Sequence, residues 1–166
     1  DYFSVMGRST PARDLNAYER ELLGWFDADR PLVEIRRSAQ LVLTPIEDAS
    51  PGLKAVKIPR PNGQPLYLEY RQPIGFDQGL DQGGFSDVFD GLLLHVPRMR
   101  GHESLLIDPT PPGEPHRSAL PSGATYTDPL SGIAVRVHQR TATGVDVSIV
   151  YPPALACRIP CALSVW

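Results

Sequence analysis

The sequence predicts a mainly β protein, an antiparallel β-sandwich preceded by a short helical segment. Three observations lead there. From residue 31 onward, apolar and polar residues alternate in short runs, as they do in strands with one buried face. The 166-residue chain carries 18 prolines and 14 glycines, and these fall between the apolar runs, which is the punctuation of a many-turned β protein and not of a helical bundle. Only one segment keeps a helical period.

That segment is DLNAYERELLGWF, where Leu15, Tyr18, Leu22, Trp25 and Phe26 recur at steps of three and four and so share one face. Asn16 followed by Glu19 has capping-box spacing: the Asn side chain accepts from a first-turn amide while the Glu reaches back. The helix is expected to run to about Asp27, ahead of Pro31. A helix this short does not stand alone in water, and its apolar stripe is expected to belong with a partner outside residues 31–151.

The strands follow in order as QLVLTPI, LKAVKI, LYLEYR, GIAVRVH and GVDVSIVY. In the third, Leu66, Leu68 and Tyr70 oppose Tyr67, Glu69 and Arg71, the pattern of a half-buried antiparallel strand. LLLHV and SLLID lack alternation and read as short strands buried on both faces. The clearest pair sets Ile133, Val135 and Val137 beside Val145, Val147, Ile149 and Tyr151, joined by a connection ending in Gly144. About seven such strands, separated by PNG, GFDQGLDQGG and PTPPGEP, make a β-sandwich the expected arrangement. In residues 152–166, PPALACRIPCALSVW, the pattern stops. This stretch reads as a linker or disordered tail, or as a small loop closed by Cys157 and Cys161; two thiolates alone fall short of a tetrahedral metal set.

A hydrophobic share of 42% with 21% charged residues describes a folded chain. The net charge of −3 and isoelectric point near 5.8 leave no basic footprint for nucleic acid and no polybasic stretch for an anionic membrane surface. The longest apolar runs are far shorter than the roughly 20 residues of a spanning helix.

The usual catalytic patterns are incomplete. A zinc-peptidase helix needs two His one turn apart with a Glu between them; HESLL begins correctly at His102, but Leu106 occupies the second ligand position. His95, His116 and His138 form no such pair and read as strand-face or loop histidines. GFSDV around Ser86 has the first glycine of a nucleophile elbow and lacks the second. GLDQGG has neither dinucleotide nor phosphate-loop spacing. The acidic stretch with Asp77, Asp81, Asp87 and Asp90 reads as a solvated loop, with calcium as the alternative, because hard carboxylate oxygens in a flexible loop suit that ion.

Taken together, DYFSVMG and the following LNAYERELLGWF resemble the Met-turn and C-terminal helix of metzincin-type zinc metallopeptidases, especially the gametolysin-like and immune-inhibitor-A-like secreted bacterial enzymes. YLEYRQPIGFD, GLLLHV, SLLIDPTP and ATYTDPLSGIAVRV resemble the β-rich region that follows the catalytic domain there. The resemblance implies that residues 1–30 end a catalytic domain, 31–151 form an appended β-sandwich, and 152–166 are a linker or tail. It makes Met6 the apolar floor beneath a zinc site, a role suited to a polarizable thioether; the alternative is an ordinary core methionine. It also implies a secreted parent that hydrolyses protein or peptide substrates with zinc. The His-Glu-x-x-His ligands would lie upstream of Asp1, so the chain alone is expected to hold no zinc and to be inactive. From a different class comes a non-catalytic β module that binds glycan, protein or a cell surface through exposed aromatics such as Tyr67 or Tyr126. A module that only packs on its neighbour is the third reading.

Overall fold

The computed structural model describes residues 13–80, 86–98, 102–109 and 119–153. Met6, Asp81, His116, Cys157 and Cys161 lie outside the described residues. The helix α1 (Ala17–Leu22) starts where the capping box places it, with Asn16 accepting from the Glu19 amide while the Glu19 carboxylate accepts from the Asn16 amide. It stops earlier than expected. Gly24 takes a φ of 67°, and the amides of Gly24 and Trp25 turn back to the carbonyls of Glu21 and Arg20, a Schellman closure that satisfies the last carbonyls. Gly24 is thus the stop signal, ahead of Asp27 and Pro31.

The chain then forms β1 (Leu32–Glu34), β2 (Ala39–Leu43), β3 (Ala55–Ile58), β4 (Leu66–Tyr70), β5 (Gly91–Pro97), β6 (Ser104–Leu106), β7 (Leu120–Pro121), β8 (Thr125–Thr127), β9 (Ala134–Arg140) and β10 (Val145–Val150). The larger sheet runs β1-β3-β4-β5-β6, with β7 also paired to β5; the smaller runs β2-β10-β9-β8. Pairing is antiparallel except between β1 and β3, which lie parallel from Leu32↔Ala55 to Glu34↔Lys57. The expectation of an all-antiparallel arrangement is corrected there, because the chain leaves β1 for β2 in the other sheet before returning to β3. The short strands β1, β7 and β8 carry too few residues to show a period, and they escape a reading by alternation.

β9 and β10 form the pair their alternation predicts, with Val147 opposite Val137 and Ile149 opposite Val135. Gly144, just before β10, approaches β2 so closely that a Cβ on it would sit 2.2 Å from the Leu43 carbonyl oxygen. Val135, Val137, Val145, Val147 and Ile149 of the smaller sheet share one buried cluster with Val56, Ile58, Leu66, Leu68, Leu92 and Leu94 of the larger. By area-transfer reasoning, each such fully buried aliphatic side chain is worth about 1.5–3 kcal/mol relative to exposure.

The larger sheet is also covered on its second face. Every residue of β4 and β5 is buried, so β4 is not the half-buried strand its alternation suggests. Leu93 packs there with Leu80, Val88 and Phe89. Tyr67 and Ala55 pack with Ala17 of α1 and with Ile46. The helix therefore has a packing partner in the larger sheet of this chain.

Candidate functional site

The helix meets the sheet with an unexpected face. Asn16, Ala17 and Glu19 are buried, whereas Leu22, Leu23 and Trp25 remain 50%, 55% and 55% exposed. The apolar stripe read from the sequence is split: Tyr18 and Phe26 pack against the Ala17–Tyr67 cluster, and Leu15 and Leu22, joined by Leu23 from outside the stripe, line an open cleft of about 400 Å³ with Glu19 and His102. Tyr18 and Tyr67 meet ring to ring at 5.6 Å. The Tyr67 hydroxyl donates to Glu21, which also holds Lys57 at 2.8 Å.

Polar groups fasten this unusual face. Asn16 Nδ2 donates to Ser104 Oγ of β6 at 2.7 Å. The Ala17 amide donates to Glu69 Oε2 of β4, and the Asp14 amide to Asp77 Oδ1 at 2.8 Å. The two carboxylates are bridged by one guanidinium: Arg71 Nε donates to Glu69 Oε1 at 2.7 Å and Nη1 to Asp77 Oδ2 at 2.9 Å. His95 Nε2 of β5 stands 3.2 Å from Glu69 Oε1. Glu69, Arg71, Asp77 and His95 are all fully buried.

Burial alone would push the Glu69 carboxyl up, but the charges of Arg71 and His95 and their hydrogen bonds outweigh it and hold the group well below the ordinary range. Burial likewise opposes the Arg71 charge, and Glu69, Asp77 and Glu47 more than restore it. Glu47 goes the other way: burial raises it most, Arg71 opposes, and contact with Asp77 raises it further, so its protonated form is favoured. One guanidinium thus offsets only one of the two carboxylate charges, and beside the remaining negative charge a third carboxyl is driven towards neutrality. Glu69, Arg71 and Asp77 are fully buried, and through the amides of Asp14 and Ala17 they pin the segment entering α1 to the sheet.

The residues singled out from the sequence are dispersed. His95 lies on a strand, β5, as read, but on a buried face beside Glu69. His138 is exposed and contacts Ser148 at 3.0 Å, and His102 lies on the cleft. Among the described residues, no three His, Cys, Asp or Glu side chains converge as a metal site, and HESLL contributes to β6 instead of a helix. The described residues thus assemble no ligand set for a zinc ion. Of the acidic stretch, Asp77 is committed to Arg71 and Asp90 pairs with Arg140 at 3.0 Å; they point to different partners and not to a common cation. Ser86 begins a 3₁₀ turn, Ser86–Asp90, and not a strand-to-helix elbow. Tyr67 is 1% exposed beneath α1, which removes it as a stacking platform; Tyr126 is half-buried beside Asp128.

Glu69, Arg71 and Glu47 were not among the sequence candidates. A signal existed in LLLHV: a β5 run without alternation implies cover on both faces, and the polar side of its neighbour β4 must then be buried as well. No helix among the described residues is long and apolar enough to cross a membrane. No family model matches the chain, and no curated protein or solved structure matches it.

Proposed function

We propose that this chain is the C-terminal portion of a secreted zinc-dependent endopeptidase, in which α1 closes the catalytic domain and the two sheets form an appended β-sandwich. The supporting observation is the helix: buried charges fix it to the β unit, yet it turns Leu22, Leu23 and Trp25 outward beside an apolar cleft. A contiguous apolar surface of this kind suits contact with another body, and the Met-turn resemblance names the catalytic domain as that body. In this reading the β unit is built rigidly onto the helix and is not a tethered module. Met6 is assigned to the floor of the zinc site, whose ligands belong to sequence upstream of Asp1 in the parent. Zinc would supply an activated water there, and no residue described in this chain takes part in that step.

The non-catalytic glycan-binding reading is weakened by the burial of Tyr67. The upstream coding sequence provides the test. A His-Glu-x-x-His motif with a third His, together with chelator-sensitive casein cleavage by the full-length protein, is the expected result. Charge placed on the helix face, as in Leu22→Asp with Leu23→Asp, should then reduce activity of the full-length enzyme while this chain still folds. An upstream sequence without zinc ligands would sink the proposal.

A further inference from the structure

The PNG turn joins β3 to β4 and sets an asparagine before a glycine at the surface. Pro61, Asn62 and Gly63 are all exposed. The Gly63 amide donates to the Arg60 carbonyl at 3.1 Å, closing a turn with proline in its second place, where the ring's fixed φ suits. Gly63 then takes a φ of 79°, and a Cβ added to it would meet nothing within 4 Å. Asn62 is held by its neighbour: Oδ1 accepts from the Gln64 amide at 3.2 Å and Nδ2 donates to Gln64 Oε1 at 2.9 Å. The chain's other asparagine, Asn16, is the opposite case. It is buried, its Nδ2 is engaged by Ser104, and the amide after it, that of Ala17, donates to Glu69.

We propose that Asn62–Gly63 is a self-modifying site, which converts Asn62 to aspartate and isoaspartate with water as its only co-reactant. The Gly63 amide nitrogen, on giving up its proton to hydroxide, attacks Asn62 Cγ. A cyclic imide closes as the Cγ–Nδ2 bond breaks, and Nδ2 leaves as ammonia after taking a proton from water. Water then opens the ring. Attack at Cγ restores the ordinary backbone with an aspartate side chain; attack at the Asn62 main-chain carbonyl leaves the chain running through Cγ as isoaspartate. Three features favour ring closure. Gly63 bears no side chain to crowd its nitrogen, the surroundings leave the approach open, and the Gln64 amide already donates to Oδ1, the atom on which negative charge develops. Only hydrogen bonds within an exposed turn restrain the attack geometry. The isoaspartyl form carries an extra backbone atom inside a turn from which Arg60 reaches the Gln64 carbonyl at 2.7 Å and Asp128, between β8 and β9, at 2.9 Å. That link ties the turn to the smaller sheet, and the conversion loosens it. The inference stands on this chain alone and does not depend on the peptidase reading.

The whole chain is incubated in mildly alkaline buffer beside the free peptide of residues 59–66, and both are mapped by mass spectrometry with fragmentation that separates aspartate from isoaspartate. Both products are expected at position 62, with ammonia released and Asn16 unchanged. Since the bonds of the Gly63 amide and the Asn62 side chain must open first, the folded chain should react within about thirtyfold of the peptide. Gly63→Ala, for which the turn has room, should slow conversion about tenfold or more by crowding the nitrogen; far-UV dichroism checks that it is folded. The isolated isoaspartyl fraction should unfold at lower urea than the parent, whereas Asn62→Asp, which gains the charge without the extra atom, should not. An unreacted Asn62 while the peptide converts, aspartate without isoaspartate, or an unchanged rate in folded Gly63→Ala would overturn the site. Equal urea midpoints for the isoaspartyl form and the parent would overturn the loosening.

Discussion

Along β10, Val145, Val147 and Ile149 are buried while Asp146 and Ser148 lie half-buried and Val150 is exposed; along β4, every residue from Leu66 to Tyr70 is buried. Both strands alternate in sequence, and both send their aliphatic side chains into the same shared cluster. They differ in what lies over the opposite face. On the smaller sheet it carries short-range polar contacts such as Gln40 with Asp146 at 3.1 Å and His138 with Ser148 at 3.0 Å. On the larger sheet it is roofed by α1 and the turns around Leu80 and Val88, and its charges are enclosed. The same polarity pattern therefore yields a solvated ladder in one sheet and an interior ion-pair cluster in the other, and the energetic stakes differ accordingly. Exposed pairs contribute little, whereas a buried pair broken on one side leaves an uncompensated charge.

The largest effect should come from Arg71→Met, which strands Glu69 and Asp77 in the interior and should cost about 3–5 kcal/mol. Arg136→Met, on the exposed face of β9, should stay within about 0.5 kcal/mol. Urea denaturation of the two variants measures the contrast directly, and equal midpoints would break it.

The pH dependence should separate the faces next. Glu69 is held below the ordinary carboxyl value of 4.5, so its contribution is fully present above that value and is lost as pH falls through its folded pKa. Glu69→Gln should therefore lower stability at pH 7 and flatten the loss in acid. Glu47 is displaced upward, so its contribution is present below the ordinary value and lost as pH rises through its folded pKa. Glu47→Gln should keep or increase stability near neutrality. Opposite signs for these neighbouring carboxyls are the expected result of melting curves across pH 3–7, and parallel losses would contradict the assigned charge states.

Asn16→Ala removes both the N-cap and the bond to Ser104, and should cost about 1 kcal/mol, with the α1 amides gaining hydrogen exchange before the β10 amides. A smaller change than this belongs to Lys57→Ala, which deletes a partly exposed pair with Glu21 and should lower the urea-derived stability by less than about 1 kcal/mol. A larger loss would show that the edge of the helix seat is as enclosed as its centre.

The local rules carried much of the outline. Asn16 and Glu19 announced the helix start because a capping box needs only residues three apart, and β9 with β10 announced themselves because their period and their short connection are both local. β7 and the parallel β1–β3 pairing left no comparable trace, since pairing partners of two- and three-residue strands are chosen by the rest of the sheet.

By itself, then, the sequence determined which residues alternate, where the helix begins, and that Leu66, Leu68 and Tyr70 face apolar company. Tertiary structure alone decided that Tyr67, Glu69 and Arg71 are buried too, and that α1 lays its small and polar side on the sheet while keeping Leu22, Leu23 and Trp25 outward. The physical reason is that alternation records a difference in polarity between two faces, not the presence of water on either. A charged face can be enclosed when compensating groups converge on it. Here those groups are Asp77, His95 and the backbone amides of Asp14 and Ala17, drawn from segments that meet only in the folded chain.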